Sequence, residues 1–347
     1  MGLIHPRDLA AWQRWQDRQA PLVRRLRRRL RPAGPPQLRL HLRGEEPRLL
    51  VALESASPSS VAANLRILER LSDLDLAILA PAGLDPALLD RIGGAWIRQP
   101  AAERPPERLG GLRAVLASGH FLPAGARCLA WARAARAPFL VAQHGLITPH
   151  TPPLPRDSTL LAFSAEDGEF WRSGRDDVVV ATIGSQLFWD AAAAPRRRIE
   201  GDAAPVFLGQ LHGAELPYRG QLRRAIDFCR RTGADYRPHP AERDRRSRAG
   251  HRRLRAAGVR VDARPLPLAE LARPVVAAFS TGIVEAAALG LPAWVSYADP
   301  PGWLRELWER YRLSPYGREP TPPPVQPRVE PLRAAAELIR RTIGAAP

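Results

Sequence analysis

The feature of this sequence that most restricts its fold is a repeated alternation of short apolar runs with stretches of helical periodicity. In the first half, strands are predicted at residues 48–53, 74–80, 95–97, 114–118, 139–143 and 159–163, and helices at 59–71 and 85–92. Ser59 or Ser60 is a suitable N-cap for the first of these helices. Strands that alternate with helices are typical of a parallel sheet covered by helices.

The same alternation begins again near Ala204. Here strands are predicted at residues 205–209, 235–237, 258–262, 274–279 and 292–297, and helices at 219–231, 267–271 and 283–289. A chain of 347 residues is long enough to bury two separate cores. We therefore expect an α/β chain with two Rossmann-like domains, at residues 37–195 and 204–330, that face each other across a cleft. The linker is predicted at 190–203, a basic segment at 1–36, and a final helix within 331–347.

The net charge of +17 weighs less as evidence for nucleic-acid binding than its size suggests. All 52 basic residues are Arg, and Asn64 is the only Asn. Loss of Lys and Asn is typical of GC-rich coding, so part of the charge reflects codon usage. Outside residues 1–32 the sequence lacks the interleaved aromatic and basic residues of a single-strand binder. This argues against a nucleic-acid partner, although a basic surface still attracts nucleotide sugars and anionic polymers.

Residues 1–32 interleave Trp and Leu with Arg. On a helix they would place an apolar stripe beside a cationic face. Such a helix either lies on an anionic membrane surface or packs on the protein with its Arg side chains in solvent, and the sequence leaves both open. No apolar run reaches the roughly 18 residues of a membrane span, and no signal-peptide core is present. We expect a cytoplasmic protein, peripheral on the inner membrane face if the first helix binds lipid.

The chemistry-bearing residues follow predicted strands, where open α/β sheets bind their ligands. Arg237 and His239 lie in the run Arg-Pro-His-Pro. A His between two prolines has little backbone freedom and suits a fixed hydrogen bond to phosphate. The alternative is a surface turn in which the His is incidental. His212, after the first strand of the second domain, either contacts the same phosphate or merely lines its loop.

A second group opens the helix predicted at 283–289. Ser280, Thr281 and Gly282 follow a buried strand, and the free N–H groups and dipole of a helix N-terminus bind phosphate. Glu285 lies one turn further on, where its carboxylate would accept from ribose hydroxyls. An ordinary N-cap explains Ser280 but leaves the acid at Glu285 without a reason.

In the first half, His144 ends an apolar strand before a Gly turn. A His at this place would serve as the general base toward an acceptor hydroxyl, or as a structural cap of its loop. The only two cysteines, Cys128 and Cys229, lack metal-like spacing. No metal site and no cofactor is therefore predicted.

Several short motifs resemble the GT-B enzymes that carry an HP motif, which include CDP-glycerol glycerophosphotransferases, polysialyltransferases and capsule Kdo transferases. They lie at residues 143–145 (QHG), 164–171, 183–190, 237–240 and 279–292. The resemblance implies that His239 contacts the donor phosphate and that Ser280 and Thr281 bind phosphate or sugar. It implies His144 as the base of the teichoic acid branch, and a carboxylate, here Glu54, in the sialyl and Kdo branches.

This sequence departs from the family at two places. Gln143 replaces a Trp, and the paired serines become Ser280-Thr281, so a CMP-, CDP- or UDP-linked donor is expected without a choice among them. The predicted function is metal-independent, inverting transfer of a glycosyl or polyol-phosphate group to a surface polysaccharide or teichoic-acid-like acceptor. The alternatives are a non-hydrolysing nucleotide-sugar 2-epimerase of the same fold and a basic nucleic-acid-binding or scaffold protein.

Overall fold

The apolar runs of the first half build one eight-stranded sheet in the computed structural model, which describes residues 2–19, 37–85, 87–195, 203–264 and 266–344. Its strands are β1 (Leu38–Arg43), β2 (Leu49–Ala52), β3 (Leu76–Pro81), β4 (Ile97–Pro100), β5 (Ala114–Ala117), β6 (Phe139–Ala142), β7 (Ser158–Ala162) and β8 (Val178–Thr182). They lie in the order β4-β1-β3-β2-β5-β6-β7-β8. β2, β3 and β5–β8 are parallel, whereas β1 pairs antiparallel with both β3 and β4.

The sheet therefore differs from the all-parallel sheet predicted. The third predicted strand, at 95–97, begins later, at Ile97, and forms a partly exposed antiparallel edge. β1 was not predicted, although Leu38, Leu40 and Leu42 alternate with polar residues as in a strand. Burial on both faces matches a sheet covered by helices. Leu50 and Ala52 of β2 join one hydrophobic cluster, and Leu49 and Val51 join a second one.

The helices of this half are more numerous and less regular than the sequence indicates. They are α1 (Leu9–Gln19), α2 (residues 58–71), α3 (Ala87–Asp90), a 3₁₀ turn (Glu107–Leu109), α4 (Pro123–Ala135), α5 (Ala165–Arg172) and α6 (Gln186–Ala193). α2 changes along its length from α (Pro58–Ser60) to π (Val61–Leu65) to 3₁₀ (Arg66–Leu71), and Ser57 caps it, not Ser59 or Ser60.

The second half forms a four-stranded sheet of its own. Its strands are β9 (Val206–Leu208), β10 (Asp235–Arg237), β11 (Val275–Ala277) and β12 (Ala293–Val295). All neighbours are parallel, in the order β10-β9-β11-β12. Its helices are α7 (Tyr218–Thr232), α8 (Arg245–Ala256), α9 (Leu268–Leu271), α10 (Thr281–Ala288) and α11 (Gly302–Arg310).

One predicted strand of this half is wrong. Residues 258–262 do not form a strand, and Val261 makes only a single bridge to Tyr236. Two helices, α8 and α11, were not predicted. α8 has six arginines among its twelve residues, and its apolar side is too sparse to reveal a helical period.

The chain divides into two compact units, Met1–Leu187 with Pro327–Pro347, and Phe188–Gln326. The division lies a few residues before the predicted ends at 195 and 330. A last helix, α12 (Pro331–Ile343), buries Leu332, Ala335 and Ile339 in the core of the first unit. Residues 20–36 of the basic segment and 196–202 of the predicted linker lie outside the described residues.

Both units combine a central sheet of mainly parallel strands with helices, which confirms the α/β class and the two Rossmann-like units. Within the described ranges, no helix has the length and apolar character needed to cross a membrane.

Candidate functional site

The carboxyl ends of β10, β9 and β11 lie side by side in the second unit. Arg237, Leu208 and Ala277 are in register across these three strands. The chain leaves β9 for β10 on one side and continues to β11 on the other, so the edge is a topological switch point, where such sheets bind ligands. Gln210, just past β9, ties the two sides together, because its Oε1 accepts from the backbone N–H of Phe279 at 3.1 Å.

Two histidines stack above this edge. The ring centroids of His212 and His239 are 4.1 Å apart, and the ring planes differ by 17°. The backbone N–H of Ala241 donates to Nδ1 of His239 at 3.1 Å, so the neutral ring carries its proton on Nε2, where it is a donor. Desolvation of the stacked faces lowers the pKa of both imidazoles; His239 lowers that of His212 further, whereas Glu242 opposes the shift at His239.

Arg237 and Glu285 belong to elements on opposite sides of β9. Arg237 ends β10 and donates to the carbonyl of Leu266, and its positive charge interacts with Glu285 of α10. Burial raises the pKa of Glu285 to about 7, and Arg237 partly offsets this rise. The end of β10 and the start of α10, which follows β11, thus lie on either side of the carboxyl end of β9.

The N-terminus of α10 has the features of an anion site. The Oγ of Ser280 accepts from the N–H of Gly282 at 3.1 Å and so caps the helix. The hydroxyl proton of Ser280 is still available to donate, and the positive end of the helix dipole favours an anion at this place. A Cβ on Gly282 would lie 2.7 Å from Cδ1 of Leu208. The glycine therefore lets the helix start close to the end of β9, the strand that His212 follows.

The structure thus brings the seven predicted donor-site residues to one sheet edge. They are Arg237, His212, His239, Ser280, Thr281, Gly282 and Glu285. Their roles toward phosphate and ribose stay predictions.

Sequence reasoning gave no role to a buried carboxylate below the two histidines. Glu242 accepts from the N–H of Leu211, the hydroxyl of Tyr236 and Nε2 of His251. His251 lies nine positions further along, on a helix that was not predicted, so no spacing rule joins the two.

A second unpredicted pair lines a small cavity at the same edge. The Arg224 guanidinium lies 4.3 Å from the centre of the Tyr297 ring, and both side chains line the cavity together with Gln210 and Ser296. Burial raises the pKa of Glu215 in the loop after β9. No sequence motif surrounds these residues, so they could not be identified from the sequence.

In the first unit, His144 follows β6 as expected. It lines a cavity of about 30 Å³ together with Ser59, Gln186 and Pro331. Burial lowers the pKa of His144, and no group among the described residues hydrogen-bonds to its buried Nδ1. A neutral imidazole with an open nitrogen meets the chemical requirement for a general base at neutral pH.

The neighbouring Gln143 has a structural role. Its side-chain amide donates to Asp167 at 2.6 Å, and its Oε1 accepts from the N–H of Phe163 at 2.8 Å. Ser164 caps α5 by accepting from the N–H of Asp167. The motifs at 143–145 and 164–171 are thus joined by one buried network that links the ends of β6 and β7 to α5.

Glu54 follows β2 at the same edge, two strands away from β6 in the sheet. Its Oε1 accepts from the N–H of Gly125 at 2.7 Å, at the start of α4. Burial raises the pKa of Glu54, and that hydrogen bond partly offsets the rise. Within the described part of the chain, no hydrogen bond joins Glu54 to His144, so the two candidate bases are separate groups.

His120 lies between these candidates, after β5, and was not predicted. Burial, with Arg133 and Arg175, lowers its pKa to about 4. Its run Ser118-Gly119-His120 follows an apolar strand, which is the same signal that identified His144. In the ranges that the structure describes, no three His, Cys, Asp or Glu side chains are grouped to hold a metal ion.

The sequence matches no protein-family model and no curated protein. Among solved structures, the chain is similar to a glycosyltransferase from Rickettsia africae ESF-5, with a TM-score of 0.46 and 11% identity over 87% of this chain and 89% of that one. It is also similar to a mutant O-GlcNAc transferase from Thermobaculum terrenum, with a TM-score of 0.42 and 13% identity over 97% of this chain and 67% of that one. These similarities are too low to indicate an activity for this chain.

Proposed function

We propose that this chain is a GT-B-type transferase that moves a glycosyl or polyol-phosphate group from a CMP-, CDP- or UDP-linked donor to a surface polysaccharide or teichoic-acid-like acceptor. One observation carries the proposal. At a single edge of the second sheet, a guanidinium, two stacked imidazoles and a capped helix N-terminus converge, with a buried carboxyl beside them. This combination suits a phosphorylated ribose.

The donor side follows from the chemistry of these groups. Arg237 supplies a fixed positive charge, His239 donates from Nε2, and Ser280 donates its hydroxyl proton at the N-terminus of α10, where the helix dipole favours an anion. Negative charge grows on the leaving phosphate in the transition state, so donors fixed at that place speed the reaction as well as bind. Glu285 accepts from ribose hydroxyls. The charge of Arg237 and the hydrogen-bond donors around it meet the charge of the phosphates, so the proposed transfer needs no metal ion.

The acceptor belongs to the first unit in this proposal. His144 or Glu54 removes the proton from the acceptor hydroxyl. The low pKa of His144 keeps its imidazole neutral and able to accept a proton, whereas the raised pKa of Glu54 strengthens it as a base once it is ionised. A surface-polymer acceptor would bring the enzyme to the inner membrane face, where the basic residues 1–32 meet anionic lipid.

A thermal-shift panel of CMP, CDP, UDP and GDP tests the donor site. We expect a cytidine or uridine nucleotide to raise the melting temperature, because a ligand at about 100 times its Kd adds roughly 2.7 kcal/mol of stability. His239→Ala should abolish the shift, and His5→Ala, in the first unit, should keep it. Absence of any shift in the wild type, or an unchanged shift in His239→Ala, contradicts the proposal.

The epimerase alternative is separated by product analysis. Incubation of the protein with a nucleotide sugar and no acceptor should leave the sugar configuration unchanged. A 2-epimer among the products would replace transfer with epimerisation.

A further inference from the structure

The buried carboxylate of Glu242 connects the two loops that carry the stacked histidines. Its side chain is 0% exposed. One oxygen accepts from the N–H of Leu211 at 2.9 Å, the residue directly before His212. The backbone N–H of Glu242 donates to the carbonyl of His239 at 2.8 Å. One residue thus holds both loops.

Two further donors fix the carboxylate from below. The hydroxyl of Tyr236 lies 3.1 Å from each oxygen of Glu242, and Nε2 of His251 lies 2.6 Å from Oε2. Desolvation and the charge of Glu242 raise the pKa of Tyr236 well above its usual value, so the hydroxyl keeps the proton that it donates. Because β10 and α8 supply these two donors, the carboxylate is anchored to regular structure as well as to the loop of Leu211.

The space around this carboxylate is filled. A Cβ added to Gly209 would lie 2.2 Å from the hydroxyl oxygen of Tyr236 and 2.7 Å from Oε1 of Glu242. The loop after β9 therefore passes directly over the carboxylate, and only a glycine fits at this point. A network with this many partners in a low-dielectric interior rigidifies the backbone around it.

From this geometry we infer that Glu242 is a positioning residue, which holds the loop of His212 and the turn of His239 so that the two rings stack and Nε2 of His239 is presented as a hydrogen-bond donor. The effect on the donor nucleotide rests on the proposed function, whereas the effect on the rings does not. Glu242 itself touches no ligand in this scheme, since it is enclosed by Leu211, Tyr236 and His251.

The replacement Glu242→Gln tests this role with nearly the same side-chain volume. Gln has one acceptor oxygen, so it cannot accept from Leu211, Tyr236 and His251 at once. It also removes the negative charge that raises the pKa of His239. The other ionisable neighbours of the ring pair, Asp244, Tyr236 and His251, stay in place in this variant.

NMR of the histidine side chains gives the readout without any nucleotide. In the wild type we expect nuclear Overhauser contacts between the His212 and His239 rings, and ¹⁵N shifts of a neutral His239 that carries its proton on Nε2. In Glu242→Gln we expect the ring contacts to weaken and the pKa of His239 to fall. Val276→Ala is the matched control, because it creates a cavity in the same hydrophobic core. It should lower the melting temperature about as much as Glu242→Gln does, and change neither the ring contacts nor the pKa of His239.

Nucleotide affinity gives the second readout. Loss of one well-made hydrogen-bond connection should weaken binding of the stabilising nucleotide by about tenfold in Glu242→Gln. Should that variant fail to fold, Tyr236→Phe keeps the ring and removes one donor, and we expect a smaller loss in the same direction.

Unchanged ring contacts and an unchanged His239 pKa in Glu242→Gln would overturn the positioning role, as would equal changes in Val276→Ala. If the ring signals change as expected but the wild type binds no nucleotide, the positioning role stands and the proposed function fails.

Discussion

At the scale of single residues, the most informative group is the Glu285 carboxyl. It lies in an otherwise apolar helix, which the sequence alone could not explain, and burial raises its pKa to about 7 while Arg237 opposes the rise. An acid placed where it is half protonated at neutral pH weakens the fold. Its presence in this helix fits a contact with a ligand.

The first prediction concerns the pH dependence of this weakening. The folded protein holds a proton on Glu285 that the unfolded chain releases above a pKa of about 4.5. Stability therefore falls as the pH rises from about 4.5 to 7, and the full cost remains above pH 7, up to about 3 kcal/mol. We expect Glu285→Gln to be more stable than the wild type at pH 8 and nearly equal to it at pH 4.5, as measured by chemical denaturation at both pH values.

A control for this prediction is Glu270→Gln, on the neighbouring short helix α9. A stability difference between Glu285→Gln and the wild type that does not change with pH would show that Glu285 is ionised normally in the folded state.

At the scale of elements, the N-terminus of α10 separates folding from binding. Ser280 caps the helix through Gly282, and an N-cap residue contributes about 1 kcal/mol. Asp is an equally good N-cap, but its negative charge would repel a phosphate at the same place.

The second prediction follows from this difference. Ser280→Asp should keep the melting temperature of the free protein and lose the nucleotide-induced shift, whereas Ser280→Ala should lower the melting temperature and keep part of the shift. Calorimetric titration of both variants with the stabilising nucleotide is the measurement. Wild-type affinity in Ser280→Asp would show that no phosphate lies at this helix.

Several elements with a clear apolar period were predictable. The strands at 139–143 and 274–279 are found close to their predicted bounds. In each of the two sheets, the polar residues that follow the parallel strands lie at the carboxyl-end edge of that sheet. α8 was missed because arginines surround its few apolar residues. β1 was missed although its leucines alternate with polar residues as in a strand. Strand 258–262 was overpredicted, because an alternating apolar pattern does not show whether a neighbouring strand is available for pairing.

Site residues were predictable only where their immediate sequence neighbours indicated a role. His239 between prolines and Ser280 at a helix start could be identified from a few neighbouring letters. Glu242 and His251 could not, because their 2.6 Å contact depends on how α8 packs on β10. Gln143 is the opposite case, because its place in a motif indicated a functional role. In the structure its side chain is hydrogen-bonded in a buried network with Asp167 and Phe163.

At the scale of the whole molecule, α12 returns from the second unit and packs into the core of the first unit. α12 buries Leu332 and Ile339 in the first unit's core, and Ile339 is 0% exposed. Residues far apart in sequence thus stabilise one unit, while 188–326 form the other.

The third prediction uses this connection. Ile339→Ala should destabilise the first unit by about 2–5 kcal/mol through the cavity it leaves, and leave the second unit's stability unchanged. Unit-resolved hydrogen exchange is the measurement, with the exposed change Glu337→Ala on the same helix as control. Equal loss of protection in both units would show that they unfold as one.

The most direct test of the central claim is a crystal structure of the protein with the nucleotide that stabilises it most. The account predicts phosphate oxygens within hydrogen-bond distance, about 3 Å, of Nε2 of His239 and of the α10 N-terminus, with the ribose beside Glu285. A nucleotide bound at the first sheet, or one whose phosphates contact none of these groups, would contradict it.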